Sequence, residues 1–341
     1  MKKSYINFSC LTIIITLFCS SCSKSIEPKL IAEDIYFCGV LNETPTYWKN
    51  GVAITLTDGK YYAYANAVTV VGDDVYVAGE SNNNGFERIA KYWKNGIDVS
   101  LTDGKNRAYA NDIVVKGNDV YVAGGELNGS IYVAKYWKNG VATSITDGKN
   151  NAYAKAIEVV GNDVYVAGGS ENTSYNTSTA KYWKNGVAIP LSDEKRYTTT
   201  TAISVIGNDV YVAGNEYKKS SSGFISIAKY WKNGMEISLT DGKNNAEALA
   251  ITVSGNDVYV GGFESDGSKY ITNYWKNGVA VSLSDRAYVT AIAVIGTDLY
   301  VAGNENNNSK YIAKYWKNGV ATSLAEGIGI TSIEGIFIKS N

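Results

Sequence analysis

Seven copies of Tyr-Trp-Lys-Asn-Gly punctuate this chain, with tryptophans at Trp48, Trp93, Trp137, Trp183, Trp231, Trp275 and Trp316, and no tryptophan lies elsewhere. Their spacing of 41 to 48 residues matches the period of propeller blades rather than that of helical solenoids. A second element, of the form Gly-Asn-Asp-Val-Tyr-Val-Ala-Gly, recurs with the same period, with its Asp-to-Gly core at 74–79, 119–124, 163–168, 209–214, 257–262 and 298–303 and a divergent first copy at 34–39.

Each unit reads as four short strands. In the second unit a first strand over about 65–71 places Val68 and Val70 on one face and ends at Gly72-Asp73, a two-residue hairpin signal. The next strand, 75–78, is an unbroken apolar run, as suits a strand covered on both faces. A third strand over about 89–94 stops at Asn95-Gly96, where both residues must tolerate positive φ, and a fourth runs over 97–101. Pro190 falls in a fourth strand, which places that strand on the outer edge. No segment carries a sustained helical period.

The chain opens on a second strand near residue 34 and closes on a lone first strand, 331–339. Pairing Ile336 and Ile338 beside Ile35 and Phe37 would complete the first unit and close a ring, whereas a linear stack would need polar caps that the sequence lacks. The expected fold is therefore all-β: a seven-bladed β-propeller over 34–341 with four antiparallel strands per blade and its first blade closed by the C-terminal strand. The chain resembles the broad WD-repeat, kelch and YVTN-like class. The likeness is architectural, because the Gly-His and Trp-Asp pairs of WD repeats and the double glycine of kelch units are missing. It is also similar to repeat lipoproteins of Bacteroidota, a resemblance that implies an interaction role in the cell envelope.

The amino terminus has the form of an export signal. Lys2 and Lys3 precede an apolar stretch, 11–18, too short to span a bilayer, and then Cys19-Ser20-Ser21-Cys22. This resembles a bacterial lipoprotein signal, with Cys19 where leucine is usual. The resemblance implies a signal peptide over 1–21, lipidation at Cys22 and a tether over 22–33; an ordinary secretory signal cut nearby is the alternative. An acylated Cys22 leaves Cys38 without a disulfide partner. Ser23 is not the aspartate that retains lipoproteins at the inner membrane, so sorting rules point to the outer membrane, on its periplasmic or cell-surface side. The bilayer is then one partner, reached through the lipid.

Charge and composition remove several function classes. With 32 basic and 33 acidic side chains the net charge is −1, which leaves no electrostatic footprint for nucleic acid. Histidine is absent, which excludes Ser-His-Asp chemistry and His-ligated zinc. Asp-Gly pairs such as Asp58-Gly59 and Asp103-Gly104 fit turn chemistry, and Glu264-Ser265-Asp266-Gly267 lacks the alternating oxygen ligands of a calcium loop. No metal or cofactor is expected.

Residues that recur once per blade are spread around a ring and read as scaffold. The turns between first and second and between third and fourth strands are short and nearly identical. Connections on the opposite face, such as 80–88 and 216–226, vary, and a rigid scaffold presents its binding surface where it varies. Near the axis on that face the alignment places Tyr64, Tyr109, Tyr153 and Tyr288 at one level. Two residues on lie Asn66, Asn111, Lys155, Thr201, Leu249, Thr290 and Glu334, and Asp112 stands where other units have Ala or Gly. As a site, this cluster would hold a polar ligand against the tyrosines; as scaffold, it is a water-filled funnel. Three functions follow. The first is a non-catalytic module binding a glycan, peptide or envelope protein, the second a hydrolase or lyase using Asp112, Lys155, Glu158 and Glu334, and the third a structural subunit of an envelope complex.

Overall fold

Among the described residues seven four-stranded antiparallel sheets occur, one for each repeat, and no helix. The computed structural model describes residues 33–82, 87–172, 177–220, 223–265, 267–307, 310–324 and 331–340. The expected signal peptide, Cys22 and all but the last residue of the tether lie outside them. Blade 1 comprises 33–55 with the C-terminal strand; blades 2 to 7 comprise 63–100, 108–144, 152–190, 197–238, 246–284 and 287–323. The first strands of successive blades neighbour one another at the centre. The C-terminal strand Thr331–Ser340 sits between the first strands of blade 7 (Ala287–Ile295) and blade 2 (Ala63–Val71), so the ring is closed. Closure follows the expected register, with Ile338 opposite Ile35 and Ile336 opposite Phe37.

Two turn chemistries alternate around the ring. Asn95 and Gly96 both have positive φ, 51° and 81°, the signature of a type I′ hairpin, and the same pair recurs in every blade. In the other turn, Gly72 at 59° is followed by a residue without positive φ, as type II′ requires. The recurring Lys-Asn-Gly and Asp-x-Tyr elements meet here. Asn95 accepts the Val75 N–H at 2.8 Å and donates to Asp74 at 2.7 Å, while Lys94 pairs with the other Asp74 oxygen at 2.8 Å and lies 5.2 Å over the Tyr76 ring. Every blade repeats this clasp, from Asn50 with Asp34 to Asn318 with Asp298. The ion pairs are half exposed and individually weak; the asparagine, which satisfies a strand N–H and fixes the turn, contributes more.

Every tryptophan is 2% exposed or less. Trp137 of blade 3 packs against Tyr76, Ala78, Ala90 and Leu101 of blade 2, and Trp183 of blade 4 against Tyr121, Ala123 and Ala134 of blade 3. Burying one indole removes roughly 200 Å² from water, worth about 5 kcal/mol before entropy is counted. Cys38 is fully buried and unpaired, and burial pushes its thiol pKa well up, so it serves as a small core residue.

The variable face differs from expectation in one respect. In blade 5 the described part of 216–226 is strand: Asp209–Ser220 and Gly223–Lys232 stay paired, with Lys219 opposite Phe224. Blade 3 does the same, with Asn128 opposite Ile131. Extra residues lengthen the ladder because a paired backbone leaves no polar group unsatisfied.

A β-bulge interrupts all seven first strands. Register shifts at Asn66, Asn111, Lys155, Thr201, Leu249, Thr290 and Glu334, each left unpaired against the second strand. The bulge tips a carbonyl into the second strand, and the glycine of Val-Ala-Gly receives it. A methyl group on Gly79 would overlap the Tyr64 carbonyl oxygen and press on the Trp93 ring at 3.0 Å; Gly39, Gly124, Gly168, Gly214, Gly262 and Gly303 face the same obstacle. Gly124→Ala is therefore expected to destabilise the protein by about 2–3 kcal/mol and to lower Tm by roughly 5 °C. Thermal unfolding followed by far-UV circular dichroism checks this, and an unchanged Tm would show that the strand yields freely.

Candidate functional site

The seven bulge residues, brought together as the sequence alignment expected, line an axial cavity of about 210 Å³ with Asp112 and the small residues that follow them. Much of their polar capacity is committed to holding blades together. Asn66 donates to the Ala110 carbonyl of the next blade at 2.8 Å, Asn111 to Ala154 at 2.7 Å, and the Thr201 hydroxyl to Ala248 at 2.9 Å. Asn66 also donates to Glu80 at 2.9 Å, and Arg88 approaches the other Glu80 oxygen at 3.4 Å. Burial still holds the Glu80 carboxyl above its ordinary range.

Asp112 is the sole carboxylate at its level of the funnel. One oxygen accepts the N–H of Ile113 at 2.8 Å and the other that of Ile157, in blade 4, also at 2.8 Å. Desolvation outweighs these two bonds and raises its pKa to about 6. Glu158 is raised to about 7, first by burial and then by the Asp112 charge. Lys155 touches water in the channel but is enclosed by the walls, and this desolvation lowers its pKa against the pull of Glu80. Glu334 is raised by the same cause. Asp112, Lys155 and Glu334 are thus reluctant charges around a narrow space, whereas Glu158 stands outside its lining.

The four tyrosines expected beside that cluster go to separate places, and none lines the axial cavity. Tyr64 lies under the Arg88 guanidinium, 5.2 Å from its ring centre. Tyr109 packs at 5.7 Å against Tyr132, and burial raises its pKa. Tyr153 donates to Glu171 at 2.5 Å and shares a pocket of about 230 Å³ with Lys155, Tyr197 and Ser178. Tyr288 belongs to a larger groove at the junction of blades 6 and 7.

That groove, about 670 Å³, was not legible as a site in the sequence. It is lined by Phe263 and Tyr270 from the second and third strands of blade 6, and by Tyr288 and Tyr311 from the first and third strands of blade 7. The rings form two edge-on pairs, Phe263 with Tyr270 at 4.9 Å and Tyr288 with Tyr311 at 5.9 Å. The connection between the blades adds Asp285, which Lys269 pairs at 3.2 Å, and Arg286; Asn306 completes the lining. Tyr270 and Tyr311 are 56% and 41% exposed. Comparing the residue five before each tryptophan would have signalled them: Glu43, Arg88, Tyr132, Ser178, Ser226, Tyr270 and Tyr311 break an otherwise constant strand.

Elsewhere, Lys229 is buried in blade 5 between Glu216 and Glu236, and Arg196 reaches Glu236 at 2.8 Å. With two cations matched to two carboxylates inside a wall, this reads as scaffold. No cluster of His, Cys, Asp and Glu among the described residues is arranged to hold a metal ion.

No protein-family model matches the chain, and no curated protein matches it in sequence. Solved structures do match in fold. The puromycin-hydrolyzing peptidase of Mycobacterium tuberculosis aligns at TM-score 0.57 with 10% identity, over 86% of this chain and 54% of that one. The acylaminoacyl peptidase of Pyrococcus horikoshii aligns at 0.51 with 13% identity, over 78% and 46%. This chain thus spans about half the length of each, and at such identity the likeness establishes shared architecture alone.

The raised carboxylates carry a sign that can be tested. Because folded Asp112 and Glu158 hold protons more tightly than the unfolded chain does, the folded state is the more protonated between about pH 4 and pH 7, and their contribution to stability falls as pH rises through that window. For Asp112 the loss is on the order of 2 kcal/mol, allowing for screening by channel water. Urea unfolding from pH 4 to pH 8 should show a shallower decline for Asp112→Ala than for the natural chain. Equal slopes would mean that Asp112 titrates as an ordinary surface carboxylate.

Proposed function

We propose that this protein is an exported, membrane-anchored propeller that binds a ligand on its variable face without transforming it. One observation carries the reading: exposed aromatic rings and polar groups converge in an open groove on that face, whereas the polar side chains at the axis are largely spent on joining blades. Of the residues singled out in the sequence, Tyr288 belongs to the groove. Tyr153 and Lys155 offer a smaller second pocket, and Asn66, Asn111, Asp112, Thr201 and Glu334 act as funnel wall. The opposite face, built from seven copies of one clasp, offers little to distinguish one part of it from another. The partner classes remain those of the sequence reading, a glycan, a peptide or an envelope protein, with the bilayer reached through the lipid on Cys22.

A second reading is favoured by the Asp112 and Glu158 pair. Two carboxyls titrating near neutrality are suited to acid and base work, and the peptidases of similar fold are hydrolases by name. Against it stands the engagement of both Asp112 oxygens by backbone N–H groups, which leaves the carboxylate poorly placed to meet a substrate.

A glycan array and a pull-down with the domain lacking residues 1–22 separate these readings: retention of a ligand recovered chemically unchanged is the expected result. Recovery of a cleaved ligand, with turnover abolished in Glu158→Gln, would favour the enzyme, and no retained ligand or partner would remove the binding reading. For the anchor, cells expressing the full chain and fed a clickable palmitate analogue should label the natural protein and not Cys22→Ala. Equal labelling of both would refute lipidation at that residue.

A further inference from the structure

We infer that the groove between blades 6 and 7 binds a short oligosaccharide containing an acidic sugar. This rests on the binding reading above and assigns it a location and a ligand chemistry. The aromatic rings supply the first argument. One face of a pyranose is a patch of polarised C–H bonds, and these meet the electron-rich face of an aromatic ring favourably while the sugar hydroxyls point outward. The groove provides four rings in two edge-on pairs, so each pair holds its exposed member, Tyr270 or Tyr311, at a fixed tilt before any ligand arrives. Rigid rings lose little entropy on binding.

Size and charge narrow the ligand. A volume of about 670 Å³ lies within the usual range of small-ligand sites, with room for roughly two or three sugar rings. Among the charged groups of the lining, Lys269 and Asp285 neutralise each other at 3.2 Å. Arg286 makes no ion pair within hydrogen-bonding reach among the described residues, and with Lys269 it sets two cations against the single carboxylate of Asp285, an excess of one positive charge among the described lining residues. A planar guanidinium matches a sugar carboxylate through two parallel hydrogen bonds. Asp285 and Asn306 add acceptors and donors for hydroxyl groups. A peptide adding as a strand fits less well, since the second strands of both blades are paired on either side, and the third strands lack an outer partner strand only over the short stretches 270–271 and 310–312.

The test uses the detergent-solubilised full chain on an array of neutral and uronic-acid oligosaccharides of two to six units, followed by calorimetry with the best binder. Acidic oligosaccharides should be retained. Tyr270→Ala and Tyr311→Ala should each weaken binding by about tenfold or more, and Arg286→Gln should remove most of the preference for acidic over neutral sugars while sparing the neutral ones. All three side chains are exposed, so unchanged melting temperatures would confirm folded variants. Sugar binding lost in Lys155→Ala but kept in the groove variants would overturn this assignment and leave the binding reading standing. Capture of a peptide or protein with no sugar retained would do the same. A preference for neutral sugars would overturn the acidic component, and no retention of sugar, peptide or protein would overturn both readings together.

Discussion

Backbone pairing between the last strand, Thr331–Ser340, and the first, Glu33–Leu41, turns seven separate sheets into one body. Without it blade 1 would lack its innermost strand, and Ile333, Phe37 and Trp48, now packed with Ala302 and Ala313 of blade 7, would face water. Each tryptophan cluster reaches across to a neighbouring blade, so the apolar burial that stabilises any one blade requires the next. The closure is the most non-local pairing in the chain, and it covers the edge that strand Glu33–Leu41 would otherwise leave open.

The two faces of the ring follow from different physical needs. On one, a repeated Asp, Tyr, Lys and Asn set satisfies turn geometry, and loss of its asparagine would cost a strand hydrogen bond. On the other, hairpins lengthen or shorten and side chains change from blade to blade because the pairing of the first and last strands does not depend on them. Chemistry accumulates there in two forms. The axial cavity holds two carboxyls, Asp112 and Glu334, whose pKa burial raises, and the junction of blades 6 and 7 holds aromatic rings open to solvent.

Much of the architecture was legible in the sequence because each rule had a local signature. Asn95-Gly96 and Gly72-Asp73 announced their turns, Pro190 its edge, and Ile336 with Ile338 the closing strand. The bulges were not legible, although the residues at them were picked out by their variability; a bulge shows only when the register across two strands is known. The candidate groove was missed for a related reason. Phe263, Tyr270, Tyr288 and Tyr311 come from two repeats and three strand positions, and alignment by repeat compares each with its own counterparts, never with the residues it meets in space. Likewise Tyr64, Tyr109, Tyr153 and Tyr288 share an alignment column yet meet different neighbours, because the strands beside them differ.

The bulge has a consequence for how such a molecule changes over generations. At Asn66 and its six counterparts the side chain belongs to a residue outside the ladder, so replacing Asn with Lys, Thr, Leu or Glu leaves the strand pairing intact and gives up only side-chain bonds, such as those of Asn66 to Glu80 and to the Ala110 carbonyl. The mate of that freedom is the second-strand glycine, which tolerates nothing larger. Drift is thereby channelled: one position per blade explores new chemistry at the mouth of the funnel while another, a few ångströms away, is frozen, and a family built on this plan would diversify its interior without redrawing its frame.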